Sequence, residues 1–144
     1  MTNRAGGSRH LARRAALQGL YQWQATGQGA EEIIGQFEQE RTFERLDEEF
    51  FRLLVQGVIN HVRELDTALE SHIDRPFSQV DPVERAVLRI AAFELIHCSE
   101  VPWRVVINES IELARTFGAE QGHRFVNGVL DKLAPVARRD DDGG

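Results

Sequence analysis

Apolar positions along this chain recur at intervals of three and four, the period of an amphipathic helix. No stretch alternates apolar and polar long enough to make a strand. A first helix is predicted from Ser8, as its cap, through Leu17 to about Ala25, ended by Thr26-Gly27-Gln28-Gly29. Residues 31 to 40 place Ile33, Ile34 and Phe37 on one side, and a longer stripe of Phe50, Phe51, Leu54, Val55, Val58, Val62 and Leu65 predicts a helix from about Asp47 to His72. Asn60-His61 marks a bend in it, and Arg75-Pro76 breaks the pattern. Asp81-Pro82-Val83-Glu84 reads as a cap, a proline at the first helical position and a capping-box glutamate. The helix it opens, Pro82 to His97, is apolar nearly all round, which predicts the most buried element. Pro102 opens the next, with Val106, Ile107, Ile111, Leu113, Ala114 and Phe117 inward and Gly118 as the stop. The last runs from about Glu120 to Ala137, before a tail of Arg138, Arg139 and acids.

Composition narrows the class. With 144 residues, 42% of them hydrophobic and 28% charged, the chain suits one globular domain with an ordinary core. The single cysteine, Cys98, excludes an internal disulfide and a Cys-rich zinc site, and fits a reducing compartment. No apolar run reaches the ~18 residues of a membrane span, so no membrane partner is expected and a cytoplasmic location is.

Charge is unevenly spread. The first thirty residues contain no acid but carry Arg4, Arg9, Arg13 and Arg14, in a chain of net charge −6. Arginines near a helix start oppose the positive end of its dipole, and Arg9 and Arg13 repel at i,i+4, each effect costing a few tenths of a kcal/mol. A phosphate would reverse both signs, which points to a polyanion ligand. On this reading, without that ligand the pair is electrostatically unfavourable. The opposing reading is a solvated tail. Between Glu31 and Glu49, eight acids face only Arg41 and Arg45, a solvated acidic surface.

No catalytic constellation emerges. The five histidines show no paired ligand spacing, Cys98 lacks an activating context, and the glycines at 27 and 29 do not follow a strand as a phosphate loop requires. His72-x-Asp74 is a weak metal pair; Asn108-Glu109 and Asn127 read as polar bridges between packed helices. Neither an enzyme nor a cofactor or metal site is expected.

Four segments carry a family resemblance. Val83-Glu84-Arg85-Ala86-Val87-Leu88-Arg89-Ile90-Ala91, Val101 to Ala114 with its Ile107-Asn108-Glu109-Ser110, Phe117-Gly118-Ala119, and Phe125-Val126-Asn127-Gly128-Val129-Leu130-Asp131-Lys132 resemble, in order, the signature segments of the NusB family. Leu20-Tyr21-Gln22-Trp23 resembles it too, so the likeness spans nearly the whole chain. The resemblance implies an all-α fold of about seven helices in two packed subdomains, about 8–75 and 76–138, followed by a flexible tail at 139–144. It further implies a transcription antitermination factor that pairs with the ribosomal protein NusE, binds single-stranded boxA RNA and joins the RNA polymerase antitermination complex in ribosomal RNA synthesis. A protein-interaction module without RNA binding of its own is the alternative.

Residue by residue, the resemblance assigns Arg9, His10, Arg13 and Arg14 to the family's arginine-rich RNA segment, here interrupted by His10-Leu11-Ala12. It sets Arg124 and Phe125 beside the RNA path, where cation contact and base stacking are the available roles. Core packing serves Phe125 equally well. Tyr21, Glu84 and Arg89 match the face that meets the ribosomal protein, although Glu84 also suits the capping box.

Overall fold

The computed structural model describes residues 5–40 and 45–139; Arg4, Arg41 and the tail at 140–144 lie outside them. Seven α-helices and no strand occur among the described residues. The chain divides into two compact units, Met1–Asn60 and His61–Gly144.

The first unit holds α1 (Ala5–Thr26), α2 (Ala30–Glu38) and α3 (Glu48–Asn60), each packed on the other two. α1 starts three residues before the expected Ser8 cap, which places Ser8 inside the helix. Gly27, at φ +77°, ends it in the left-handed conformation that glycine adopts without strain. Most of the expected core is in place: Leu17 and Leu20 of α1, Ile33, Ile34 and Phe37 of α2, and Phe50, Phe51, Leu54, Val55 and Val58 of α3 are all buried, whereas Tyr21 and Trp23 of α1, whose apolar character also suits a core, are exposed and half-buried. The Phe37 and Phe51 rings pack at 5.3 Å. A methyl group on Gly19 would come within 2.9 Å of Ile33 Cγ2, so the missing side chain lets α1 and α2 approach. Asp47 caps α3, its Oδ1 accepting from the Phe50 amide at 3.0 Å.

The second unit holds α4 (Val62–Glu70), a single 3-10 turn at Phe77–Gln79, α5 (Pro82–His97), α6 (Trp103–Phe117) and α7 (Gly122–Ala137). The bend expected at Asn60-His61 is a break between α3 and α4, and the chain divides there rather than near residue 75. The physical reason is α4 itself, whose buried Leu65 and Leu69 belong to a helix packed against α5 and α7. α5 has its predicted limits and is buried nearly all round, covered by α4, α6 and α7. Asp81 Oδ1 caps it, accepting from the amides of Val83 at 2.9 Å and Glu84 at 3.2 Å.

Two further expectations fail in the second unit. Phe117, expected inward, is 42% exposed at the last residue of α6. Arg138, expected in the tail, is buried: its guanidinium donates to the carbonyl oxygens of Leu95, Glu94, Cys98 and Val101, at 2.6, 3.2, 3.1 and 2.9 Å. A helix leaves its last carbonyls short of intrahelical partners, and this arginine binds that of Leu95, adds a second donor to Glu94 and Cys98, which already accept from the Cys98 and Val101 amides, and reaches the Val101 carbonyl in the loop beyond α5.

Candidate nucleic-acid interface

In the first unit the arginine segment lies on α1 where the helix meets the start of α3. Because Arg9 and Arg13 are four residues apart, both point to one ring: the Arg9 guanidinium carbon lies 4.1 Å from the Phe50 centroid and that of Arg13 5.1 Å. Arg9 Nε stands 3.5 Å from Asp47 Oδ2 and has no hydrogen-bond acceptor, so Asp47 holds it by charge alone. Arg13 is only 4% exposed, His10 is half-buried and Arg14 is exposed. The expectation that Arg9 and Arg13 are electrostatically unfavourable without phosphate is thereby corrected. An i,i+4 repulsion of about 0.2–0.5 kcal/mol is outweighed by cation–π contacts worth about 0.5–2 kcal/mol, the upper end applying to desolvated groups such as Arg13.

In the second unit Arg124 is exposed in the first turn of α7, and Phe125 beside it is half-buried. Phe125 is neither an open stacking platform nor a core residue, because Arg75 covers its ring at 4.4 Å. Arg75 was read in the sequence only as the residue before a breaking proline. Aromatic and cation are fifty residues apart, and nothing local announces the pair.

The three residues assigned to the partner face differ sharply. Tyr21 is 46% exposed and available to a partner. Arg89 is instead committed within its unit: Nε and Nη2 reach Asp66 Oδ1 and Oδ2 at 2.9 and 2.8 Å, a bidentate pair, and its guanidinium lies over Phe77. Glu84 is buried at 5% exposure, so the geometry does not present it to a partner. Nor does it close a capping box, since Asp81 alone caps α5. The carboxylate lies at the start of α7, where a methyl on Gly122 would fall 2.0 Å from Oε2 and the Ala119 amide hydrogen-bonds to it. Burial, reinforced by the nearby Asp81 charge, pushes the Glu84 carboxyl above its ordinary value; the Ala119 amide and Arg75 oppose the shift.

Arginines mounted on aromatic faces in an all-helical scaffold are a form suited to a polyanion, and the similarities to known proteins agree with that class. The profile of the NusB family matches residues 10–135. The transcription antitermination protein NusB of Xanthomonas axonopodis pv. citri (strain 306) is 50% identical over 135 residues, covering 94% of this chain and 85% of the relative. A crystal structure of T. maritima NusB superposes with a TM-score of 0.80 at 26% identity, over 92% of this chain and 94% of that one. The structure of antitermination factors NusB and NusE in complex with dsRNA matches with a TM-score of 0.77 at 25% identity, over 91% of this chain and 98% of that one. The chain belongs to the NusB family, and the curated relative it resembles is a transcription antitermination protein.

Proposed function

We propose that this protein is a non-enzymatic, cytoplasmic adaptor of transcription antitermination that binds single-stranded boxA RNA together with the ribosomal protein NusE and joins the RNA polymerase antitermination complex. The observation that carries the proposal is the arginine segment of α1: on a chain of net charge −6, four arginines fall in an acid-free N-terminal stretch, and Arg9 and Arg13 share one ring. A ring beneath two guanidinium groups restricts their motion, so less side-chain entropy is lost when a phosphate docks. Arg14, Arg124 and Arg75 are exposed cations suited to the RNA backbone, and Tyr21 is the exposed aromatic suited to the protein partner. The NusB–NusE structure contains RNA, which supports the same ligand classes here. The acidic remainder complements a basic ribosomal protein.

A second reading, a protein-interaction module without RNA binding of its own, is favoured by one observation: Arg13 is nearly inaccessible. Anisotropy titrations with a labelled boxA strand separate the two. Replacing Arg9 and Arg14 with Ala should weaken binding and reduce the slope of log affinity against log salt by up to about 1.4, roughly 0.7 for each lost single-strand phosphate contact. Unchanged affinity and slope at low salt would favour the interaction module. The same sequence as a duplex, run in parallel, tests the preference for a single strand.

A further inference from the structure

A cluster in the second unit lies apart from the residues assigned above to RNA and partner binding. His61 precedes the first turn of α4, Glu64 lies within that turn, and His97 is the last residue of α5. One donor atom from each of these three side chains can be chosen so that all lie within 4.8 Å of one another. His97 Nε2 and Glu64 Oε1 are 2.7 Å apart, and the His61 and His97 rings are 4.4 Å apart between centroids. Phe93 flanks both imidazoles, at 5.9 Å from His61 and 5.2 Å from His97.

From this convergence we propose a divalent transition-metal site of the zinc class, ligated by His61, Glu64 and His97. Two imidazoles and one carboxylate are a donor set that zinc accepts, at bonds of about 2.0–2.2 Å, which place neighbouring donors roughly 3.4 Å apart in a tetrahedron. The His97–Glu64 spacing of 2.7 Å is shorter than that value and no donor pair exceeds 4.8 Å, so the adjustment needed is within the reach of side-chain rotation. The Phe93 ring limits the rotamers of both imidazoles and gives the site an apolar flank, both of which favour a fixed metal geometry. His97 stands at the negative end of the α5 dipole, where a cation is stabilised. Glu64 and His97 are partly exposed, so an ion can enter and a water or an external oxygen ligand can take the fourth position. The ion would tie the beginning of α4 to the end of α5. Sequence inspection misses the set because His61-x-x-Glu64 is completed by a histidine 33 residues beyond Glu64.

The test is titration of the metal-stripped full-length protein with Zn2+, and with Co2+ as a spectroscopic probe. The site predicts one saturable equivalent, the visible absorption of tetrahedral Co2+, and a rise in melting temperature with zinc, since an ion that binds only the folded form stabilises it. His61→Ala, His97→Ala and Glu64→Gln should each weaken binding at least about tenfold. His72→Ala and His123→Ala should leave it unchanged. Glu64→Gln changes one exposed carboxylate and serves where a histidine variant folds poorly by circular dichroism. Absence of saturable binding, equal loss in the His72 and His123 variants, or full retention in Glu64→Gln would overturn the three-ligand assignment.

Discussion

At position 84 a carboxyl group is held almost out of water, between the start of α5 and the first turn of α7. Burial raises its pKa above the ordinary 4.5, so the folded form binds a proton more tightly than the unfolded one. Its contribution to stability is therefore greatest below 4.5 and declines as pH rises through the raised value. Glu84→Gln cannot titrate. The stability of the parent relative to this variant, measured by urea unfolding at a series of pH values, should fall from below 4.5 toward neutrality; a constant difference would contradict the account. The sequence presented Glu84 as a capping-box residue or a partner contact, because local spacing contains no information on what α7 brings against it. Arg13 is a similar case. Its helical spacing from Arg9 was legible, but not the Phe50 ring beneath both.

Among the elements, α5 was read to the residue because Asp81 and Pro82 set its start through local backbone chemistry alone. The start of α7 was read two residues early, at Glu120. Its N-cap residue, Gln121, takes the left-handed conformation at φ 70°, and the helix begins at Gly122, where glycine is required by the Glu84 carboxylate rather than by any turn preference. Gly122→Ala should therefore displace that carboxylate from the Ala119 amide and cost about 1–3 kcal/mol, measured as a shift in the urea midpoint. Combining it with Glu84→Ala should recover part of the loss, because the clash disappears with the side chain. Strict additivity of the two would show that they do not touch. The anchoring of Arg138 was illegible for a related reason: its four acceptors lie 37–44 residues earlier in the chain.

For the molecule as a whole, the all-helical class followed from one periodicity sustained along the chain, and the family from motifs in α5, α6 and α7. The candidate RNA segment was legible as an absence of acids around four arginines, a property of composition that needs no contacts. Its support by Asp47 and Phe50, and the Arg75–Phe125 pair, are tertiary and were not legible. A few arginines on an acidic protein make a small cationic footprint, so RNA should bind the isolated protein weakly. A basic ribosomal protein docked alongside should extend the positive surface that the strand follows. Linkage then requires that RNA tighten the protein pair by the same factor as the pair tightens RNA. The most direct test is titration of boxA RNA into this protein alone, into NusE alone and into this protein with saturating NusE, at one fixed salt concentration. The adaptor account predicts tightening beyond the affinity of either protein alone, by roughly 5- to 150-fold relative to this protein, a coupling of about 1–3 kcal/mol. Equal affinities in the presence and absence of NusE would contradict it.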